Sequence, residues 1–467
     1  MDENKRILIL LTTSISSFLT PFTSSIITFA VPKIGEYFRA DFFTIIWVPI
    51  SYLIPLPLMI LFGRLSDIYG KIIMYRLGLI IFTFSIFIAI FSINIYMLII
   101  SLFIAGIGGS LFGINATAII SHVYSSNRRG GALGINAMSV YLGLTLSPFL
   151  GGILIQIFNW QAIFYTIFPI SLTALLISFY SMKDIEFINK KEKLDIIGSV
   201  LFASSLIMIV FYLTFSEIYN NISTIIILIL GIIFLLIFIY YETKVKEPLI
   251  DLNLFKNNRT FVASNISAFL NYLSTYSIVF VFSLYLQVFL KIPPFQAGSI
   301  LVFQPIFMVI FSPISGRLSD KYGSRILASI GMAIIGSSFI TLSIIKIDSI
   351  FDIIIPLSFI GIGFGFFTAP NTNSVMGSVE KNKYGIAAGT LGTMRFTGQI
   401  LSISVASAFL SNSVPKNILL GLFTGAVENV SVVYLNEFLK GFRLIMLFSG
   451  IMSFIGAYTS LLKKEET

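Results

Sequence analysis

One arginine stands where this chain allows almost no other charge. Arg395 lies ten residues into an apolar run from 385 to 411. At about 1.5 Å per residue that is roughly 15 Å from the end of the run, close to the midplane of a bilayer if the run spans one as a helix. Arginine at that depth costs on the order of 2.5–3.5 kcal/mol on insertion scales, so it must face the protein interior with acceptors nearby. No Asp or Glu occurs inside any of the long apolar runs to pair with it. Two readings stay open. Arg395 faces water or an anionic or strongly accepting substrate group in a cavity, or hydroxyls, amides and backbone carbonyls of neighbouring helices satisfy it. Other polar residues at comparable depth complete the candidate set: Gln399, one turn beyond Arg395; Asn271, Tyr272, Tyr276 and Gln287 in the run 261–290; Asn136, Gln304, Asn371 and Asn373. Groups of this kind line a cavity or bond between helices.

Other chemistries find no residues to carry them. An intramembrane enzyme needs a nucleophile, metal ligands or a carboxylate pair at depth, and none is present, so the chain is read as a non-enzyme. There is no cysteine, and His122 is the single histidine. Thiolate sites are thereby excluded, and a lone imidazole leaves no metal site or pH sensor of any strength. No Gly-x-x-x-x-Gly-Lys-Ser/Thr segment exists to bind nucleotide, and no loop is large enough for a soluble output module. No cofactor is expected.

The elements that position these residues follow from composition. Of 467 residues 56% are hydrophobic and 11% charged, with mean hydropathy +0.95, against about 25% charged in soluble chains. Such a chain needs lipid as its solvent, and helices satisfy their own backbone there. Apolar runs place spans at about 7–31, 44–62, 72–91, 96–121, 132–155, 162–181, 196–215, 223–240, 261–290, 297–315, 326–345, 353–377, 385–411 and 442–462. The first is too long, and lacks the small-residue cleavage site, to be a removed signal peptide. The net charge of +9 is not gathered on one soluble module, which argues against nucleic acid. With an intracellular N-terminus 22 basic residues fall inside, and only Lys33, Arg39, Lys291, Lys346, Lys416, Lys440 and Arg443 outside, as the positive-inside rule requires. Both termini are then cytoplasmic in a plasma-membrane protein. All acidic residues partition to loops or span ends, with Asp41 and Glu36 at the outer rim and Asp67 at the inner one.

The segment GRLSDIYGK, Gly63 to Lys71, returns as GRLSDKYGS, Gly316 to Ser324. That spacing is too long for a solenoid and suits half of a duplicated polytopic bundle. The layout reads as six, two, six: a bundle at 1–182, a two-helix insertion at 183–259 whose apolar IIILILGIIFLLIFIY faces lipid, and a second bundle at 260–467. In each copy glycines permit a tight connection, Asp67 or Asp320 supplies a carboxylate, and Arg64, Lys71 or Arg317 anchors at the surface. In the fifth span, GLTLSPFLGG joins a helix-bending Pro148 to small Gly143, Ser147, Gly151 and Gly152.

The repeated Gly-x-Leu-x-Asp-x-x-Gly resembles the loop motif of the major facilitator superfamily. Gly143 to Gly152 looks like the fifth-helix signature of its drug antiporter branch, with Ser147 in place of a glycine. TFAVPKI, NWQAIFYTIFPI, SLYLQVFLKIPPFQAG and GIAAGTLGTMRFTGQILS extend the likeness over most of the chain, to the fourteen-helix drug:proton antiporters. The resemblance implies two pseudo-symmetric bundles, alternating access and a cavity between the halves. It also implies a latch, with Gly63, Arg64, Asp67, Gly70 and Lys71 near Gly385 to Gly389, echoed by Gly316, Arg317, Asp320 and Gly323. Two departures stand out. The family's first-helix carboxylate falls at Thr23, and its fourth-helix arginine and glutamine fall at Leu102 and Ala105. The expected function is a secondary active transporter that exports amphiphilic, drug-like small molecules and is coupled to a proton or another ion. The alternative is a uniporter or organic-anion carrier without proton coupling. Expected partners are the small-molecule substrate and the lipid bilayer, with the protein a monomer.

Overall fold

The computed structural model describes residues 3–124, 126–183, 195–215, 222–245, 248, 256, 258–379, 384–414 and 432–463. The side chains of Arg64, Asp67, Arg128, Arg129 and Asp320 lie outside the described residues, although their backbones are helical. The helices of the first half are α1 (Glu3–Phe38), α2 (Phe42–Leu53), α3 (Met59–Tyr69), α4 (Lys71–Ile90), α5 (Ile95–Val123), α6 (Ser126–Ile157) and α7 (Ala162–Ser181). Next come α8 (Ile196–Phe215) and α9 (Ile222–Glu242). The second half holds α10 (Arg259–Thr275), α11 (Ser277–Ser283), a π-helical turn at Leu284–Phe289, α12 (Pro294–Leu301), α13 (Phe303–Tyr322), α14 (Ser324–Ile344), α15 (Phe351–Gly377), α16 (Tyr384–Ser413) and α17 (Val432–Leu461).

Each expected span coincides with one of these helices or a consecutive set of them. Among the described residues eleven helices are long and apolar enough to cross a membrane, and Phe42–Leu58 and Ile197–Leu213 are shorter apolar helices. Tyr384–Ser413, with Arg395 inside it, is not among the eleven. The last span begins earlier than its sequence suggests, at Val432, because the mixed-polarity stretch before Gly441 continues the helix.

Helix starts are set by side-chain caps. Asp41 accepts hydrogen bonds from Phe43 N at 3.0 Å and Thr44 N at 2.9 Å, Asn94 from Met97 N at 2.8 Å, and Asn258 from Phe261 N at 2.9 Å. Such caps satisfy amides that a helix leaves orphaned. The two repeated segments make the same turn: Gly70 separates α3 from α4 at φ 103°, and Gly323 separates α13 from α14 at φ 77°. A side chain there would be strained, which is why glycine closes both copies.

The duplication continues into packing. α1 packs on α6 and α7, α4 on α5 and α7, and α2 and α3 on α5; α10 packs on α16 and α17, α14 on α15 and α17, and α13 on α15. Gly143 of α6 abuts the Phe18 carbonyl of α1, and Gly398 of α16 abuts the Phe269 carbonyl of α10. Gly78 and Gly108 face each other's backbone between α4 and α5, as Gly331 and Gly363 do between α14 and α15. Close backbone approach through small residues is how helices associate where burial of apolar surface gives no driving force. The register that equates Gly143 with Gly398 places Arg395 opposite Val140, so the scaffold repeats and the deep charge does not. α8 and α9 pack on each other, and α8 also reaches α2 and α16. The apolar window of α9 is only 17% buried inside the protein, which suits a lipid-facing helix.

Candidate functional site

The two halves meet along three lines of helices. α6 contacts α12 and α13, α16 contacts α2 and α3, and α1 contacts α11. Along the first line the fifth-span glycines divide their work. Gly143 and Gly151 lie on α1, whereas Gly152 meets the Pro294 backbone and Gly298 meets the Pro148 carbonyl. Gln156 Oε1 accepts from Phe295 N at 3.1 Å beside them. Ser147, buried, turns its hydroxyl back to the Leu144 carbonyl at 3.0 Å. Along the second line the Thr393 hydroxyl donates to the Pro57 carbonyl at 2.8 Å.

Arg395 lies between these lines, on α16. Its guanidinium carbon is 4.5 Å from the Phe396 ring centroid and 5.7 Å from that of Tyr272. A desolvated cation–π contact contributes up to about 2 kcal/mol, so two of them are comparable with the cost of placing the charge at depth. The Tyr272 hydroxyl interacts with the same guanidinium, and Tyr141 of α6 and Tyr276 lie close enough to feel its charge. Tyr141 turns toward Ser312 of α13 and Thr368 of α15. Tyr276 turns toward Ser24 and Thr28 of α1, yet its buried hydroxyl closes no hydrogen bond. Tyr52 of α2 turns toward Thr23 and lies within electrostatic reach of Tyr276, and its hydroxyl is 3.4 Å from the Thr20 carbonyl. Seven helices, drawn from both halves, therefore bring tyrosines, small hydroxyls and one cation to a single place.

The ninth span is built for this position. Its ladder is interrupted at Tyr276, and the Ser277 N–H is taken by the Ser402 hydroxyl of α16 at 2.9 Å. A second irregularity follows at the π turn, where Leu290 N bonds Tyr285 O at 3.0 Å. Interrupted backbone inside a membrane is tolerated where protein groups take up the freed amides, and π turns often mark functional positions.

Not every candidate joins the cluster. Asn136 donates to Ser17 Oγ at 2.8 Å and the Thr13 carbonyl at 3.3 Å, which ties α6 to α1. Asn271 points to Met332 Sδ at 3.2 Å with its amide oxygen unpartnered. Gln287 donates to the Phe29 carbonyl at 3.2 Å across the α1 seam. Gln399 is buried with Oε1 unpartnered. Gln304 is buried, and its backbone carbonyl abuts Gly361. Asn371 donates to the Ser264 carbonyl at 3.1 Å and accepts from Lys463 at 2.9 Å. His122 is exposed, and no cluster of metal-ligating residues occurs among the described residues. The rim acids have structural occupations: Asp41 caps α2, and Glu36 pairs with Lys33 at 2.6 Å.

In the repeated segments Gly63 packs against Ile114, Gly316 against Ala369, and Arg317 is exposed. Ser66 and Ser319 stand at the same place in the two copies. Asn115 of α5 donates to Ser66 Oγ at 2.7 Å, and Asn373 of α15 donates to Ser319 Oγ at 3.1 Å. The expected approach of Asp67 to Gly385 lies outside the described residues. Sequence reading missed Tyr52, Tyr141 and the hydroxyls of α1; the Ser/Thr-rich stretch Thr12 to Thr28 was the available signal.

Duplicated helical halves that close around one polar interior site define a class, the polytopic membrane transporters. The chain belongs to the Major Facilitator Superfamily, whose family model matches residues 13–243 and 265–467. It is 31% identical over 415 residues to the riboflavin transporter RibZ of Clostridioides difficile (strain 630), covering 88% of this chain and 89% of that one. It is 29% identical over 375 residues to multidrug resistance protein 3 of Bacillus subtilis (strain 168), covering 78% and 72%. Its fold matches the inward-facing crystal structure of a bacterial homologue of the human lysosomal transporter Spinster, with TM-score 0.68 and 15% identity over 99% of this chain and 97% of that one. The protein is thus a multi-pass membrane protein of a transporter family.

Proposed function

We propose that this chain is a secondary active transporter that moves amphiphilic, aromatic small molecules out of the cell by alternating access. It does so with fourteen spans arranged six, two, six, as a monomer with both termini cytoplasmic. The repeated hairpins around Asp67 and Asp320 serve as inner latches. The carrying observation is the Arg395 cluster, to which α1, α2 and α6 from one half and α10, α13, α15 and α16 from the other all contribute. Rocking one half against the other would expose such a site to each side in turn. The relatives named above handle riboflavin and multiple drugs, which fits an aromatic-lined site.

A second reading, carriage without proton coupling, draws on Thr23, a neutral hydroxyl beside Tyr52 at the position where the resemblance places the family's carboxylate. A coupled exchanger needs a group whose protonation differs between the access states, and carboxylates are the common carriers. Purified protein in liposomes tests both readings, with riboflavin and an amphiphilic dye as cargo, with and without an imposed pH gradient. Transport accelerated by the gradient supports coupling, transport indifferent to it supports the carrier, and no transport of either compound refutes the export reading.

A further inference from the structure

Buried polar groups around Arg395 are left unpaired. Arg395 Nε is buried without an acceptor, and the Tyr276 hydroxyl, turned toward Ser24 and Thr28, closes no hydrogen bond. A guanidinium only donates, whereas a hydroxyl can donate or accept. Among the described residues no carboxylate approaches Arg395, and the sequence has none at that depth to supply. Each buried donor left without an acceptor costs about 1–3 kcal/mol. The same cation lies over the rings of Phe396 and Tyr272. The site therefore holds a guanidinium Nε–H with no acceptor beside aromatic rings, with the unpartnered amide oxygens of Asn271 and Gln399 on the same two helices.

We infer that the Arg395 cluster is a recognition site for a flat conjugated ring whose edge bears carbonyl or carboxylate oxygens. The oxygens meet Arg395 and the Tyr276 hydroxyl, and the ring packs among Tyr141, Tyr272 and Phe396. Arg395 is then the specificity-determining residue. Cationic amphiphiles are disfavoured, because they bring a like charge to Arg395. The inference rests on the transporter reading, and its test is separate from transport: binding by the purified full-length protein in detergent, measured by equilibrium dialysis.

Three probes share one ring and differ at the edge: 2-naphthoate, 2-naphthamide and 2-naphthylmethylammonium. The naphthoate and the naphthamide bind at least tenfold more tightly than the ammonium. Arg395→Gln lowers binding of both oxygen-bearing probes about tenfold and abolishes the order. Arg395→Lys keeps the naphthoate but loses the naphthamide, since a point charge lacks the planar fork. Tyr276→Phe weakens both about threefold at unchanged Tm. If the naphthoate binds and the naphthamide does not, the edge is read as charge alone, and the carbonyl half of the inference falls. Equal binding of all three probes, binding of none, or an unchanged order in Arg395→Gln overturns it. Should Arg395→Gln fail to fold, wild-type affinities in both Arg395→Lys and Tyr276→Phe overturn it instead. Liposomes that export dye while the purified protein ignores every naphthyl probe would separate the failure of this inference from that of the transporter reading.

Discussion

Arg395 was legible in the sequence because a charge in an apolar run has few places to go, and its consequences could be argued from depth alone. Its partners were not legible. Tyr52 and Tyr141 look like ordinary aromatic residues in a chain with 20 tyrosines and 47 phenylalanines, and only the crossing of seven helices selects them. The rim acids show the opposite case. Asp41, an acid that the sequence leaves at the rim of a span, is engaged as a helix cap, accepting also from Thr44 Oγ1 at 2.6 Å. Replacing it by alanine removes a cap worth about 1 kcal/mol. Asp41→Ala is therefore expected to lower Tm in detergent while leaving the pH dependence of transport unchanged; a shifted pH profile would place Asp41 in the coupling machinery.

At the scale of elements, spans were readable because backbone in lipid must satisfy itself, and hydropathy records that demand. The interruption at Tyr276 was not readable: no Pro or Gly marks it, and it depends on a hydroxyl from α16, 126 positions along the chain at Ser402. Likewise the repeat announced Ser66 and Ser319 but not Asn115 and Asn373, which lie on other helices. Removing either amide leaves a seryl group in each motif short of a partner. Asn115→Ala and Asn373→Ala are each expected to destabilise the protein by about 1–2 kcal/mol. The natural absence of cysteine allows a single Tyr69→Cys, at an exposed position within the first motif, to report on local order. Its labelling by an impermeant maleimide should quicken in Asn115→Ala and stay unchanged in Asn373→Ala. Equal effects of the two would show the copies to act as one unit. Gly298→Ala tests the seam between α6 and α12 more harshly, since its new Cβ would lie 2.2 Å from the Pro148 carbonyl oxygen. Transport should fall at least tenfold as the halves are forced apart there.

Over the whole molecule, duplication was the most legible property, because two copies of a nine-residue segment cannot be mistaken for chance and the glycine contacts repeat in step with them. What duplication hid was its own exception. Val140 and Arg395 occupy matching positions in the two halves, so at this position one half carries a positive charge and the other does not. Moving a unit charge through the whole membrane field changes its energy by about 2.3 kcal/mol per 100 mV. A rocking motion that carries Arg395 through a tenth of that field therefore shifts the balance of the two end states by about 0.2 kcal/mol per 100 mV. Even an uncharged cargo should then move at a rate that responds to a potassium diffusion potential, and Arg395→Gln should make it electrically silent.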